Sequence, residues 1–206
     1  MYSKLMNMKT KNLLSILMML LITQLVFSQK FKNGDIIFHT SKSSQSKMVQ
    51  IVTNSKLTHC GIIFYLKGKP FVFEAVQPVK ITPLQKWINR GVNGKYIVSR
   101  VKTPLTKSQL NEMYNYSKSQ LGKNYDIKFE WSDKNMYCSE LVYKVFVAGD
   151  RFIGSAKKFS DYNLNNKIVK DAIKRRYGNS INMNEMVITP VDLYKSSELK
   201  TIFNNY

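Results

Sequence analysis

Residues 57–76, "LTHCGIIFYLKGKPFVFEAV", decide how this chain is read. Apolar, β-branched and aromatic residues flank Lys67-Gly68, a pair suited to a tight turn, so the stretch predicts a hairpin. With those two as the turn residues, Gly61 faces Glu74 and His59 faces Val76. Side chains alternate along a strand. His59, Gly61, Val72 and Glu74 then share one face, and Cys60, Ile62 and Phe64 share the other. A three-residue turn would shift the register by one and send Glu74 across.

This register separates His59 from its neighbour in sequence. Cys60 points away with large apolar companions and reads as a packed core thiol. Glu74 lies diagonally across from His59, roughly 7–8 Å away between backbones, within reach of a long side chain. Gly61 leaves space between them. Phe71, Val72, Phe73, Ala75 and Val76 flank Glu74. A half-buried carboxylate in such company needs a partner, and His59 is the nearest.

A nucleophile must then come from elsewhere. "YCSELV", residues 137–142, holds the second of the two cysteines. Cys138 opens a predicted helix with Leu141, Val142, Val145 and Phe146 on one face and Gly149 as its stop. Free N–H groups and the dipole at a helix start favour a thiolate and can stabilise an oxyanion. The plainer reading of Cys138 is a buried helix cysteine. The sharper one makes Cys138, His59 and Glu74 a nucleophile–base–orienter set. His39 ends a strand beside Thr40 and Ser41 and reads as an exposed histidine. Two cysteines and two histidines at these spacings make a poor zinc set. No Gly-rich phosphate loop is present, so the sequence calls for no metal and no cofactor.

The rest of the chain frames these residues. Its 206 residues suit one domain. Lys4, Lys9 and Lys11 precede an apolar run from Leu13 to about Phe27, and Ser28 offers a small residue before Gln29. That is the pattern of a secretory signal, residues 1–28, with a retained membrane anchor as the alternative. Export to the periplasm or medium is the expectation, leaving residues 29–206 as the mature domain. Two cysteines in an exported chain raise the thought of a disulfide, but the strand geometry places Cys60 in the core instead. The net charge is +19, and +16 without the three leader lysines. Such a field suits anionic surfaces. Lysine is spread along the chain and arginine is scarce, which argues against a specific nucleic-acid site. "KIVKDAIKRRYG" (167–178) reads as the wet face of an amphipathic helix. Helices are also expected at 44–54, at 82–91 with Thr82 as N-cap and Pro83 in the first turn, and at 106–122 with a Thr106/Gln109 capping box. Strands grouped in the middle with helices around them give one α+β domain.

"GDIIF" (34–38), "THCGIIF" (58–64), "FEAV" (73–76) followed by "ITPLQKWI", "LGKNYD" (121–126) and "MYCSELVYKVF" (136–146) together resemble the YiiX/YaeF group. These are circularly permuted papain-like cysteine hydrolases of the NlpC superfamily, in which the His strand precedes the Cys helix. The resemblance spans about Asn33–Gly149, and "ITPVDLYKS" (188–196) is similar to the group's ending. It implies His59 as base, Glu74 as orienting acid, Cys138 as nucleophile and Tyr125 as a substrate or oxyanion contact. Cys60 departs from the group, which more often has an aliphatic residue there. The implied activity is a secreted cysteine amidase or peptidase acting on cell-wall peptides or related amides. A lipid acyl hydrolase or acyltransferase, similar to lecithin–retinol acyltransferase, is the alternative, and a non-catalytic basic binding module is a third. The expected partners are a small peptide, amide or lipid substrate and an anionic surface, with the chain a monomer.

Overall fold

β1 (Asp35–His39) pairs with β2 (His59–Leu66), and β2 with β3 (Lys69–Glu74), in the computed structural model, which describes residues 31–206. The hairpin register is the expected one, running from Ile62↔Phe73 to Leu66↔Lys69. Lys67 and Gly68 both have positive φ, 49° and 76°, as the two central residues of a type I′ turn require. β4 (Lys80–Pro83) adds outside β3, while β5 (Ile97–Val101) and β8 (Leu199–Asn204) add outside β1. The order is β4-β3-β2-β1-β5-β8, antiparallel at each pairing. β6 (Lys157–Lys158) and β7 (Met186–Val187) form a separate two-stranded ribbon.

The helices are α1 (Ser46–Thr53), α2 (Leu84–Asn89), α3 (Lys107–Ser119), α4 (Cys138–Ala148), α5 (Lys167–Tyr177) and α6 (Pro190–Tyr194). α3 starts at the expected box: Gln109 N–H donates to Thr106 Oγ1 and Thr106 N–H to Gln109 Oε1. α4 lies against β2 and α3. Its Leu141, Val142, Val145 and Phe146 join Cys60, Ile62, Phe64 and Phe73 in one buried cluster. The period-2 pattern of the strand and the apolar face of the helix therefore meet on the Cys60 side of the sheet.

One expectation is corrected here, and one strand is added. Thr82 and Pro83 end β4, so the helix starts at Leu84 with Pro83 as its N-cap residue. The β3 edge captures Thr82 in the pair Val72↔Thr82. The last strand, β8, sits in an Asn-rich tail that carries no alternating pattern strong enough to reveal it. Residues Asn33–Tyr206 form one compact α+β unit. The proposed signal, Met1–Ser28, lies outside the described residues.

Candidate active site

Glu74 ends β3 with its side chain fully buried, at 0 % exposure. An unpartnered carboxylate would be costly there. Three donors converge on it. His59 Nε2 lies 2.8 Å from Oε2, Thr82 Oγ1 donates to Oε1 at 2.5 Å, and the Arg90 guanidinium bonds both oxygens. Against the upward push of burial, these contacts, His59 foremost, hold the Glu74 carboxyl down at about 2. Gly61 makes the approach of β3 possible: a Cβ there would stand 2.5 Å from Val72 Cγ1 and 2.7 Å from Phe73 O. The neighbouring strand allows no other residue at that position.

Glu74 occupies Nε2 of His59, which leaves Nδ1 as the ring nitrogen available to Cys138. Burial pushes the imidazole down, but the bonds to Cys138 and Glu74 outweigh it and carry His59 to about 9. The Cys138 thiol is held well below its ordinary value. The largest cause is a hydrogen bond from the Cys60 thiol; burial opposes it, and His59 and the Cys60 backbone N–H add to it. The site therefore favours a thiolate–imidazolium pair over a neutral thiol and imidazole.

Cys60 is where sequence reasoning fell short. It is buried in the core, as expected, and its own thiol is pushed well up, first by burial and then by Cys138. It also touches Cys138. The alternation along β2 holds, but α4 packs on the Cys60 face, so the Cys138 sulfur arrives from that face. His59 is the first residue of β2, beyond the β2–β3 ladder, which ends at Ile62↔Phe73. Both cysteines are free thiols. An i, i+1 pair on opposite strand faces can both meet one atom only at a strand end, and no sequence pattern announces that.

His39 is also corrected. It is 1 % exposed, not solvent-facing. It pairs across the strands with His59 and stacks on Trp87 at 3.9 Å between ring centroids. Burial, then the charges of His59 and Arg90, lower it to about 2. Arg90 and Thr82 were missed as partners of Glu74. The one available signal was a lone arginine closing "KWINRG" in a chain with five arginines.

Two clefts meet this site. One, about 690 Å³, has Cys138 in its wall and is otherwise mainly apolar, with Val49, Phe129, Val169 and Ile188 among its lining. The other, about 1000 Å³, opens on His59 and is richer in polar groups, including Ser41, Gln45, Gln77 and Arg90. Tyr125 lines both. Burial, then Cys138, raises its phenol well above the usual range, so it stays a neutral O–H. Among the described residues no three His, Cys, Asp or Glu side chains converge to hold a metal ion.

The model of the permuted papain-like amidase family, YaeF/YiiX, C92, matches residues 30–203. The uncharacterized protein YiiX of Escherichia coli (strain K12) is 41% identical over 194 residues, 93% of this chain and 95% of the relative. A solved structure described as metalloprotein YiiX from Escherichia coli O157:H7 superposes with a TM-score of 0.83 at 41% identity, covering 86% of this chain and 99% of that one. With its histidine strand ahead of its cysteine helix and a match along nearly its whole described length, the chain belongs to the permuted papain-like amidases of the YaeF/YiiX, C92 family.

Proposed function

We propose that the chain is a cysteine hydrolase that cleaves amide bonds through a thioester on Cys138. The observation that carries this is the meeting of Cys138, at the start of α4, with His59, whose Nε2 lies 2.8 Å from the buried Glu74 carboxylate. The Cys138 thiolate attacks the amide carbonyl. The oxyanion that forms faces the start of α4, whose first N–H groups have no intrahelical acceptor. His59, already protonated, gives its proton to the leaving amine as the C–N bond breaks. Water then attacks the thioester, His59 takes its proton, and the acid leaves with Cys138 again a thiolate. Glu74 keeps the imidazolium charged and oriented throughout, and Thr82 and Arg90 keep Glu74 in place. The solved relative is described as a metalloprotein. No cluster of three His, Cys, Asp or Glu side chains suited to a metal ion occurs among the described residues.

The two clefts support a division of the substrate. The acyl part lies on the Cys138 side in the apolar cleft, and the amine departs on the His59 side into the polar one. The apolar lining also favours a second reading, hydrolysis or transfer of a lipid acyl group. Mass spectrometry of Cys138 after mixing with a peptidoglycan digest, or with detergent-dispersed phospholipid, separates the two. The added mass on Cys138 reports the acyl group, and no adduct with either, together with no turnover, refutes both. Export is part of the proposal: Edman sequencing of the secreted protein should start near Gln29, and an intact Met1 rejects cleavage.

A further inference from the structure

Arg176 stands in the cleft beside Cys138. The sequence placed it in a basic stripe expected to face water, and Lys170, Lys174 and Arg175 are indeed exposed. Arg176 is not. It is half-buried, with its guanidinium 5.5 Å from the Phe129 ring centroid. Among the residues lining the apolar cleft it is the one permanently charged side chain. None of the ion pairs among the described residues uses it. Burial works against its charge, and the charge of Arg175 adds to that.

A guanidinium withdrawn from water without a carboxylate is held at a cost. Stacking on Phe129 offsets part of that cost. It leaves the fork of N–H donors unused, and that fork matches the oxygens of a carboxylate or phosphate. Tyr125, Cys138 and Arg176 line the same cleft, which places the guanidinium in the space that the reacting thiol opens on.

We propose that Arg176 is an anion-recognising residue of this cleft, so that the acyl part of the substrate is an apolar body bearing a carboxylate or a phosphate. The proposal rests on the reading of Cys138 as the nucleophile, since that reading assigns the cleft to the acyl part. It does not need turnover to be tested. Isothermal titration of Cys138→Ala protein with decyl phosphate, decanoate and decyltrimethylammonium compares opposite charges on one alkyl chain, with inorganic phosphate as a probe lacking the chain. Salt at about 0.3 M screens the surface lysines. The anionic amphiphiles should bind about tenfold or more tighter than the cationic one, and the stronger of the two names the headgroup. Arg176→Gln should erase the preference, Arg176→Lys should keep part of it, and Arg175→Gln on the exposed side should leave it intact. Equal binding of both charges, no binding of any decyl probe, or a preference surviving Arg176→Gln overturns the proposal. So does inorganic phosphate binding as tightly as decyl phosphate, because the anion would then need no apolar cleft. Each of those failures leaves the nucleophile standing. Failure of iodoacetamide to label Cys138 would instead remove the nucleophile and leave the titration result as it is.

Discussion

Cys60 and Cys138 are both buried in one cluster, yet their thiols are driven in opposite directions. One strand away the histidines repeat the contrast. His39 and His59 face each other across β1 and β2 with ring centroids 5.3 Å apart. His59 is carried up to about 9 and His39 down to about 2. Burial acts on all four and disfavours charge in each. What differs is the partner. Cys138 and His59 exchange charge with each other, and Glu74 stands behind them, whereas Cys60 sits among aliphatic side chains and His39 lies against Trp87. The chemistry of this end of the sheet is a property of pairing, not of depth.

The largest effect should separate the two cysteines. Cys138→Ala should abolish turnover, and Cys60→Ala should keep most of it at neutral pH, at a cost in stability on the order of 1 kcal/mol. At mildly acidic pH iodoacetamide should label Cys138 well ahead of Cys60. An active Cys138→Ala protein beside an inactive Cys60→Ala protein would reverse the assignment of the two thiols.

Next in size is the carboxylate behind the base. Glu74→Gln keeps the shape and removes the charge that stabilises the imidazolium. The rate should fall by about 10²–10⁴, with circular dichroism unchanged. Thr82→Val acts only through Glu74 and should cost less. Its signature is a lowered pH limit for His59 protonation rather than a lost substrate contact. If Glu74→Gln turns over at the normal rate, pairing is not what sets His59 apart from His39.

Much of this arrangement was legible in the sequence, for identifiable reasons. The Lys-Gly turn fixed the register, the register put Glu74 beside His59, and the helix-start position marked Cys138. Those are local signals with short reach. Arg90, Thr82 and the Cys60–Cys138 contact were not legible, because each depends on where an element stops. Thr82 joined a strand edge instead of capping a helix. Cys60 meets Cys138 because α4 packs on its face of the sheet, and His59 joins them as the first residue of β2. Arg176 was hidden in another way: its neighbours Lys174 and Arg175 are exposed, and composition alone assigned it to the same wet face.

A smaller effect sharpens the thiol half of the comparison. The Cys60 thiol is the largest single cause of the depressed Cys138 thiol. Cys60→Val fills the space with an apolar group and removes that donor, while His59 remains. Cys138 should still alkylate first, but the pH at which its alkylation rises should move upward, and turnover at acidic pH should drop several-fold. An unmoved profile would assign the whole depression to His59 and the helix start.

The smallest effect concerns His39 and is read in stability rather than rate. Its pKa is about 2 in the folded chain against an ordinary 6.5. Above pH 6.5 neither the folded nor the unfolded chain binds a proton at this residue, and His39 makes no pH-dependent contribution. Below 6.5 the unfolded chain takes up a proton that the folded chain refuses. The unfolded state gains, and stability falls by up to about 1.4 kcal/mol per pH unit as the pH drops toward 2. The carboxylate of Glu74 adds its own loss only below about 4.5, as the pH falls toward about 2. Between pH 6 and 5 Glu74 is silent, and Glu140, raised to about 7 by burial, contributes equally to the parent chain and to a His39 variant, so the difference between the two reports His39. His39→Gln keeps a neutral polar side chain and removes the titrating group, so urea unfolding should show a shallower slope of stability against pH in that window. A slope equal to that of the parent chain would mean that His39 takes its proton inside the fold. The contrast between the two histidines would then collapse, since His39 would have found a partner for its charge after all.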